Sequence, residues 1–421
     1  MLLADVGSGK TWIWLKTIQD WIEEGVIKRA MVTAPLRVIQ NVWRQEAIKW
    51  QIPLTFACCT GDLSPARRAE EVKARTDVLL VNNALVPAVL EYGGDGCDGL
   101  VIDELSKYRD PTGFWSKTLR EAPFTVRSGG TGTPAPNGLT SLYGMCHALG
   151  LGHLVGRNFD TWRKKYFYPI DYNRYDWIPF RHTKGELAEL IKPWTYVIDD
   201  GAVDLPKVMK VPIEVDLPAD LREKYNEMRK TLMLSDEGIV AANNGVARNK
   251  LRQIASGFAY DKDGDAVRLG DWRLECLADL VDEMNGKPLI IAYEFREQKA
   301  MMKKRWPRMR FIGGDTNAKE DEETIRAWSQ KEVPLLGMHP ASAGHGLNDL
   351  DLGGSSIAWW QPHDDLELFD QLMGRLTRRG QVEKAVRAYM IVARHTIDTT
   401  VYDRLGEKTI VEQGLWNALR R

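Results

Sequence analysis

The chain has 421 residues and a formal net charge of −1, with 27% charged and 44% hydrophobic residues. That length exceeds the usual single domain and supports a large core, and the balanced charge excludes a uniformly basic surface while leaving room for a local basic groove. The five cysteines (Cys58, Cys59, Cys97, Cys146, Cys276) form no C-x-x-C pair and no apolar run is long enough to span a bilayer. Neither a zinc site, a disulfide framework nor a membrane partner is expected, and a reducing, cytoplasmic setting fits.

In chain order, "MLLAD", "AMVTA", "LTFACC", "DVLLV", "GLVID" and "FTVRSGG" read as strands. Helical patterns such as "TWIWLKTIQDWIEEG" and "VIQNVWRQEAIKW" lie between them. Short apolar runs alternating with amphipathic helices predict a parallel sheet covered on both faces. The rhythm returns in "PLIIAY", "RFIGG", "VPLLGMH", "SSIAWWQ" and "AVRAYMIVA", so two α/β lobes are expected. Between them, residues 157–184 are crowded with basic and aromatic side chains, and "LPKVMKVPIEVDLPADLREKYNEM" reads as a strand followed by a helix. The expected division is lobe one at 1–152, a basic-aromatic insertion and linker at 153–206, and lobe two with a C-terminal helix at 207–421.

"ADVGSGKT" follows a strand and precedes a helix, the setting a phosphate-binding loop requires. Gly7, Ser8 and Gly9 would turn backbone N–H groups toward phosphate oxygens. Lys10 would reach the terminal phosphates of ATP, and Thr11 would place its hydroxyl on Mg²⁺. Ala4 stands where the general pattern has its first glycine. "GLVIDELSKYRD" delivers Asp103 and Glu104 at the carboxyl end of a strand, where ligands bind in such sheets. Asp103 would hold the metal, and Glu104 would orient and deprotonate the attacking water. In "QLMGRLTRRGQ", a helix would set Gln371, Arg375 and Arg378 on one face at i, i+4 and i+7, with guanidinium groups available for a γ-phosphate.

These segments resemble the motifs of the Swi/Snf-like ATPases, a branch of the superfamily-two helicase-related proteins, over nearly the whole chain. "LLADVGSGKT" is similar to motif I, where Ala-Asp is common, and "VTAPLRVIQNVWRQEAIKW" to motif Ia. "VIDELSKYRD" stands for motif II, "GTGTPAPNGLTSLYGM" for motif III, "ASAGHGLND" for motif V and "QLMGRLTRRGQ" for motif VI. The compact size resembles the versions in phages and mobile elements.

The resemblance implies two RecA-like parallel-sheet lobes of the P-loop NTPase class, with ATP and Mg²⁺ bound by groups from both. It implies ATP-driven tracking on nucleic acid, chiefly double-stranded DNA. Gly346 and Gln371 join the expected nucleotide contacts. Expected nucleic-acid contacts are Thr33, Pro35, Arg37, Asn82, Ser342 and Gly344, with helix capping or turn formation as the alternative for each. Thr131 and Thr133 would couple nucleotide state to the lobe interface. The segment 157–184 would either track phosphates, dock a protein partner, or pack its aromatics onto lobe one.

Two other readings stay open: a strand-separating DNA or RNA helicase, and a non-catalytic scaffold that uses the fold to bind DNA or a partner. Family members carry a glutamine-containing adenine-recognition element upstream of motif I, and only six residues precede Gly7. A fragment or misassigned start is the expectation, with a separate polypeptide supplying the element, or binding through phosphates and Mg²⁺ alone, as alternatives.

Overall fold

The structure, a computed structural model, describes every residue except 5–7, 92–95, 111–112, 137, 171–176, 199–204, 235–238, 242–243, 314–315, 344–346, 348, 379 and 421. The chain forms two compact units: Met1–Ala202 together with Lys408–Arg421, and Val203–Glu407. This differs from the expected division in two places. Most of the basic-aromatic insertion belongs to unit one, because Trp162, Tyr166, Phe167 and Leu187 are part of its apolar core. The end of the C-terminal helix belongs there too, through Leu415, Trp416 and Leu419.

Unit one contains β1 (Leu2–Leu3), β2 (Ala30–Ala34), β3 (Phe56–Cys59), β4 (Val78–Asn82), β5 (Gly99–Ile102), β6 (Val126–Thr131), β7 (Phe167–Pro169), β8 (Trp177–Pro179) and β9 (Tyr196–Val197). Seven of these pair in the order β3-β4-β2-β5-β6-β1-β9, all parallel. β7 and β8 form a separate antiparallel hairpin. β1 is an inner strand, with Leu2 beside Gly130 on one side and Tyr196 on the other. Alternate residues of β2 and β4 feed two cores on opposite faces: Met31, Leu79 and Val81 on one, Val32, Val78 and Leu80 on the other. Burial on both faces is why these strands read as continuous apolar runs.

Unit two contains β10 (Lys207–Val215), β11 (Met233–Leu234), β12 (Ile239–Val240), β13 (Phe258–Tyr260), β14 (Ala266–Arg268), β15 (Leu289–Ala292), β16 (Arg310–Ile312), β17 (Leu335–Met338), β18 (Ser356–Trp359) and β19 (Ala385–Ala393). Its main sheet runs β10-β19-β18-β15-β17-β16, again parallel throughout. Two all-parallel sheets, each with its own core, make this an α/β protein of two RecA-like lobes.

A polar frame is built into the interior of unit two. Arg273 is wholly buried; it donates to the carbonyls of Trp360 (2.7 Å), Ile391 (3.1 Å) and Ala255 (3.1 Å) and pairs with Asp398 at 2.5 Å. Arg252 grips both oxygens of Glu294 at 2.7 and 2.5 Å, and Gln361 donates to the same carboxylate at 3.3 Å. Burial pushes Glu294 upward, but the charges of Arg252 and His363 and the two donors outweigh it, so the carboxyl sits below its usual range.

Candidate ATP-hydrolysis site

The phosphate loop sits where β1 turns into the helix Lys10–Glu23. That helix buries Trp14, Leu15 and Ile18 against the sheet, which fixes the direction of its first turn. Gly9 precedes it with φ 84° and ψ 21°, a left-handed conformation that glycine adopts without the Cβ penalty. Lys10 opens the helix and its Nζ donates to the carbonyl of Ala4 at 2.8 Å. The lysine thus folds back toward the end of β1. Gly130 on β6 permits this, since a Cβ there would lie 3.4 Å from the Lys10 side chain and 3.3 Å from Trp14. Ser8 and Thr11 flank the turn, partly exposed. Gly7 lies outside the described residues.

The acidic pair follows β5 as expected. The Asp103 N–H donates to the Thr33 carbonyl at 2.9 Å, extending the ladder to β2 by one residue. The indole Nε1–H of Trp43 donates to Asp103 Oδ2 at 3.2 Å. Glu104 Oε1 accepts two hydroxyls, from Ser106 at 2.8 Å and from Thr131 at 2.9 Å. Two donors on one oxygen fix the carboxylate's orientation. Thr131 in turn accepts the Thr133 N–H at 3.0 Å, so the loop after β6 is tied directly to Glu104. Trp43 and Ser106 were not singled out from the sequence; nothing in spacing or composition marks an indole as a carboxylate's partner.

In unit two, Gln371 and Arg375 lie on the helix Leu366–Leu376, which Asp365 caps by accepting the N–H groups of Glu367 and Leu368. Gln371 donates to Glu367 at 3.0 Å. Arg378 departs from the expected helical face, because the helix stops at Leu376. Gln381 explains the stop: its amide donates to the carbonyls of Asp351 (3.1 Å), Gly354 (3.0 Å) and Leu376 (3.4 Å), holding the chain in a turn. Arg378 therefore projects from this turn, near Asp349 and Asp351. Burial lowers its pKa while those carboxylates oppose the shift.

The expected nucleic-acid contacts fare unevenly. Thr33 is wholly buried with its hydroxyl facing Tyr108 at 3.4 Å, so its side chain is part of the lobe interior and not of a phosphate grip. Burial pushes that tyrosine's pKa up to about 12. Ser342 is likewise turned inward against Gly313, where an added Cβ would fall 1.9 Å from its hydroxyl. Asn82 accepts the Ala84 N–H at 2.9 Å, which is the capping alternative. Pro35 starts the helix Leu36–Asn41, whose first turn includes Arg37. The side chain of Arg37, together with Gly344 and Gly346, lies outside the described residues. Thr131, the last residue of β6, and Thr133 just after it are buried, and the Thr131 hydroxyl donates to Glu104.

In the basic-aromatic segment, most of the described aromatics pack inward. Arg163 lies 4.2 Å above the Trp177 ring and pairs with Asp160 at 2.8 Å. Tyr168 and Ile178 stay exposed on the hairpin, and Phe180 stacks on His182.

A glycine turn before a helix, a lysine at its first position and an oriented Asp-Glu pair define a P-loop ATPase. The oxygen donors present, the Thr11 hydroxyl and the Asp103 carboxylate, are the hard, sparse set that suits Mg²⁺. No cluster of three or more His, Cys, Asp or Glu capable of caging a metal occurs among the described residues. The metal would neutralise phosphate charge there.

Residues 1–260 match the SNF2-related domain, and the chain belongs to that family. It is a Swi/Snf-like, nucleic-acid-dependent ATP hydrolase. It is similar to protein p41 of Acyrthosiphon pisum secondary endosymbiont phage 1, with 29% identity covering 99% of this chain and 94% of that one. It is also similar to the chromodomain-helicase-DNA-binding protein 1-like of Danio rerio, at 24% identity over 92% of this chain. The chain spans 39% of that protein's length. Among solved structures, the SWI2/SNF2 ATPase core of Sulfolobus solfataricus in complex with dsDNA is similar at 21% identity and TM-score 0.44, covering 99% of this chain and 88% of that one.

Proposed function

We propose that this protein is a translocase that tracks double-stranded DNA, hydrolysing ATP with Glu104 as the general base. The observation that supports it best is the orientation of Glu104 by Ser106 and Thr131 in the same lobe as the Lys10 loop. A scaffold has no use for a carboxylate so constrained. Family membership supports the motor reading, and the name of the zebrafish relative supports DNA as the track.

In this reading Lys10 and Thr11 engage the phosphates and the metal. Arg375 and Arg378 neutralise charge that develops on the γ-phosphate. Nucleotide binding then favours one arrangement of the lobes and hydrolysis removes that preference. The DNA grip is sequence-tolerant, made of backbone amides and basic groups on phosphates. Pro35, Arg37, Asn82 and Gly344 are its proposed members, and the protein works inside the cell.

The test is ATP hydrolysis measured with no polymer, single-stranded DNA, duplex DNA and RNA at several stated salt concentrations. Duplex DNA should stimulate most, with a steep loss of affinity as salt rises. Displacement of a third strand from a triplex, without separation of plain duplex, is the expected motor signature. Equal rates with every polymer and with none would overturn the reading.

A further inference from the structure

The C-terminal helix Ile397–Arg420 carries a carboxylate to the catalytic loop of unit one. Glu412 is 6% exposed, and its Oε2 accepts the backbone N–H of Ala135 at 2.8 Å, across 277 residues of sequence. Ala135 is itself fully buried in the loop that follows β6. Along that loop the bonds continue: the Thr133 N–H to the Thr131 hydroxyl, and that hydroxyl to Glu104. Glu412 is anchored by its neighbours on the same helix, Leu415, Trp416 and Leu419, which are built into the unit-one core.

Burying a carboxylate is costly unless strong donors compensate it. A backbone amide bonded to a charged acceptor is one of the stronger donor arrangements available. An apolar residue at position 412 would dock the helix at less cost. The carboxylate therefore does something that docking alone does not require.

We propose that Glu412 is a positioning residue for ATP hydrolysis. By holding the Ala135 amide, it sets the loop conformation in which Thr131 orients Glu104. The proposal rests on the reading of Glu104 as the general base. About two turns N-terminal on the same helix, Leu405 belongs to a core of unit two.

The test is steady-state ATP hydrolysis by the full chain, with and without duplex DNA, for Glu412→Ala, Glu412→Gln, Leu419→Ala and Glu104→Gln. Glu412→Ala should lower kcat by about tenfold to a hundredfold with the KM for ATP within about twofold, the pattern of a misplaced catalytic group. Glu412→Gln keeps a carbonyl acceptor and should retain kcat within about threefold. Leu419→Ala weakens the same docking without touching Ala135; it should lower the urea midpoint and spare kcat. A Thr131→Val, Glu412→Ala double variant should lose less than the product of the single losses, because both act through Glu104.

Wild-type kcat in Glu412→Ala, beside an inactive Glu104→Gln, would overturn this inference alone. So would kcat losses in Glu412→Ala and Leu419→Ala that merely follow their losses of stability. An active Glu104→Gln would instead overturn the site reading on which the inference stands.

Discussion

The two lobes share a parallel-sheet plan but use buried polarity in opposite ways. In unit one, Asp103 and Glu104 stay half-buried and accept hydrogen bonds from neutral donors, an indole on one and hydroxyls on the other. In unit two, buried Arg273 is fixed by Asp398 and three carbonyls, and buried Arg252 by both oxygens of Glu294 and the Pro362 carbonyl. Neutral donors orient a carboxylate without cancelling its charge. Many-sided charged bonds lock a frame. The difference separates groups that act from groups that hold, more clearly than burial alone does.

That contrast can be broken by substitution. The largest effect expected is from Glu104→Gln: kcat for ATP should fall by at least about a hundredfold, with the urea midpoint nearly unchanged. The reverse pattern is expected of Arg273→Met. It strands the buried Asp398 carboxylate, so stability should fall by about 3–5 kcal/mol, while kcat per folded molecule is preserved. Should Arg273→Met lower kcat in fully folded protein, the frame would have to be counted as part of the machine.

A third variant probes the middle ground. Trp43→Phe removes the donor to Asp103 and leaves a small void, so the Mg²⁺ concentration for half-maximal activity should rise severalfold and stability should fall by about 1–3 kcal/mol.

The smallest effect concerns pH. Burial lowers the pKa of both His339 and His363 in unit two, while Glu294 opposes that shift. Each histidine binds a proton less readily when folded than when unfolded. Their contribution is present above the ordinary histidine range and is lost as pH falls through the folded values. Glu294, with its lowered pKa, adds stability above the ordinary carboxylate range that is lost only under stronger acid. Hydrogen exchange, corrected for its intrinsic pH dependence, should show unit two, with two such histidines, loosening more between pH 7 and 5 than unit one, where burial lowers the pKa of His147. An identical pH response of both units would remove this part of the contrast.

Much of this was legible in the sequence, for a definite reason. Inner parallel strands are apolar on both faces, so "AMVTA", "DVLLV" and "SSIAWWQ" announced themselves, and the residues at their carboxyl ends came with them. What failed depended on contacts between distant segments. "VIQNVWRQEAIKW" looked like one helix but breaks at Val42, placing the Trp43 indole on Asp103. The period through "QLMGRLTRRGQ" ran past the point where Gln381 ends the helix. Two-residue strands such as β9 are too short to carry any alternation. Thr33 and Ser342 had the right chemistry for a phosphate grip, but burial is a property of the folded surface and not of residue type.

The return of the C-terminal helix to unit one has a consequence for biosynthesis. Leu415, Trp416 and Leu419 complete a core whose other members lie within the first 191 residues. A nascent chain that has released only its N-terminal half therefore carries an unfinished apolar face until Leu415, Trp416 and Leu419 have emerged. This lobe cannot complete its core from the N-terminal segment alone, and its last step must wait for residues 415–419 to emerge. Chains stalled or cut before residue 415 should accordingly be the aggregation-prone species, with chaperone demand concentrated in the interval between emergence of the first lobe and emergence of this helix.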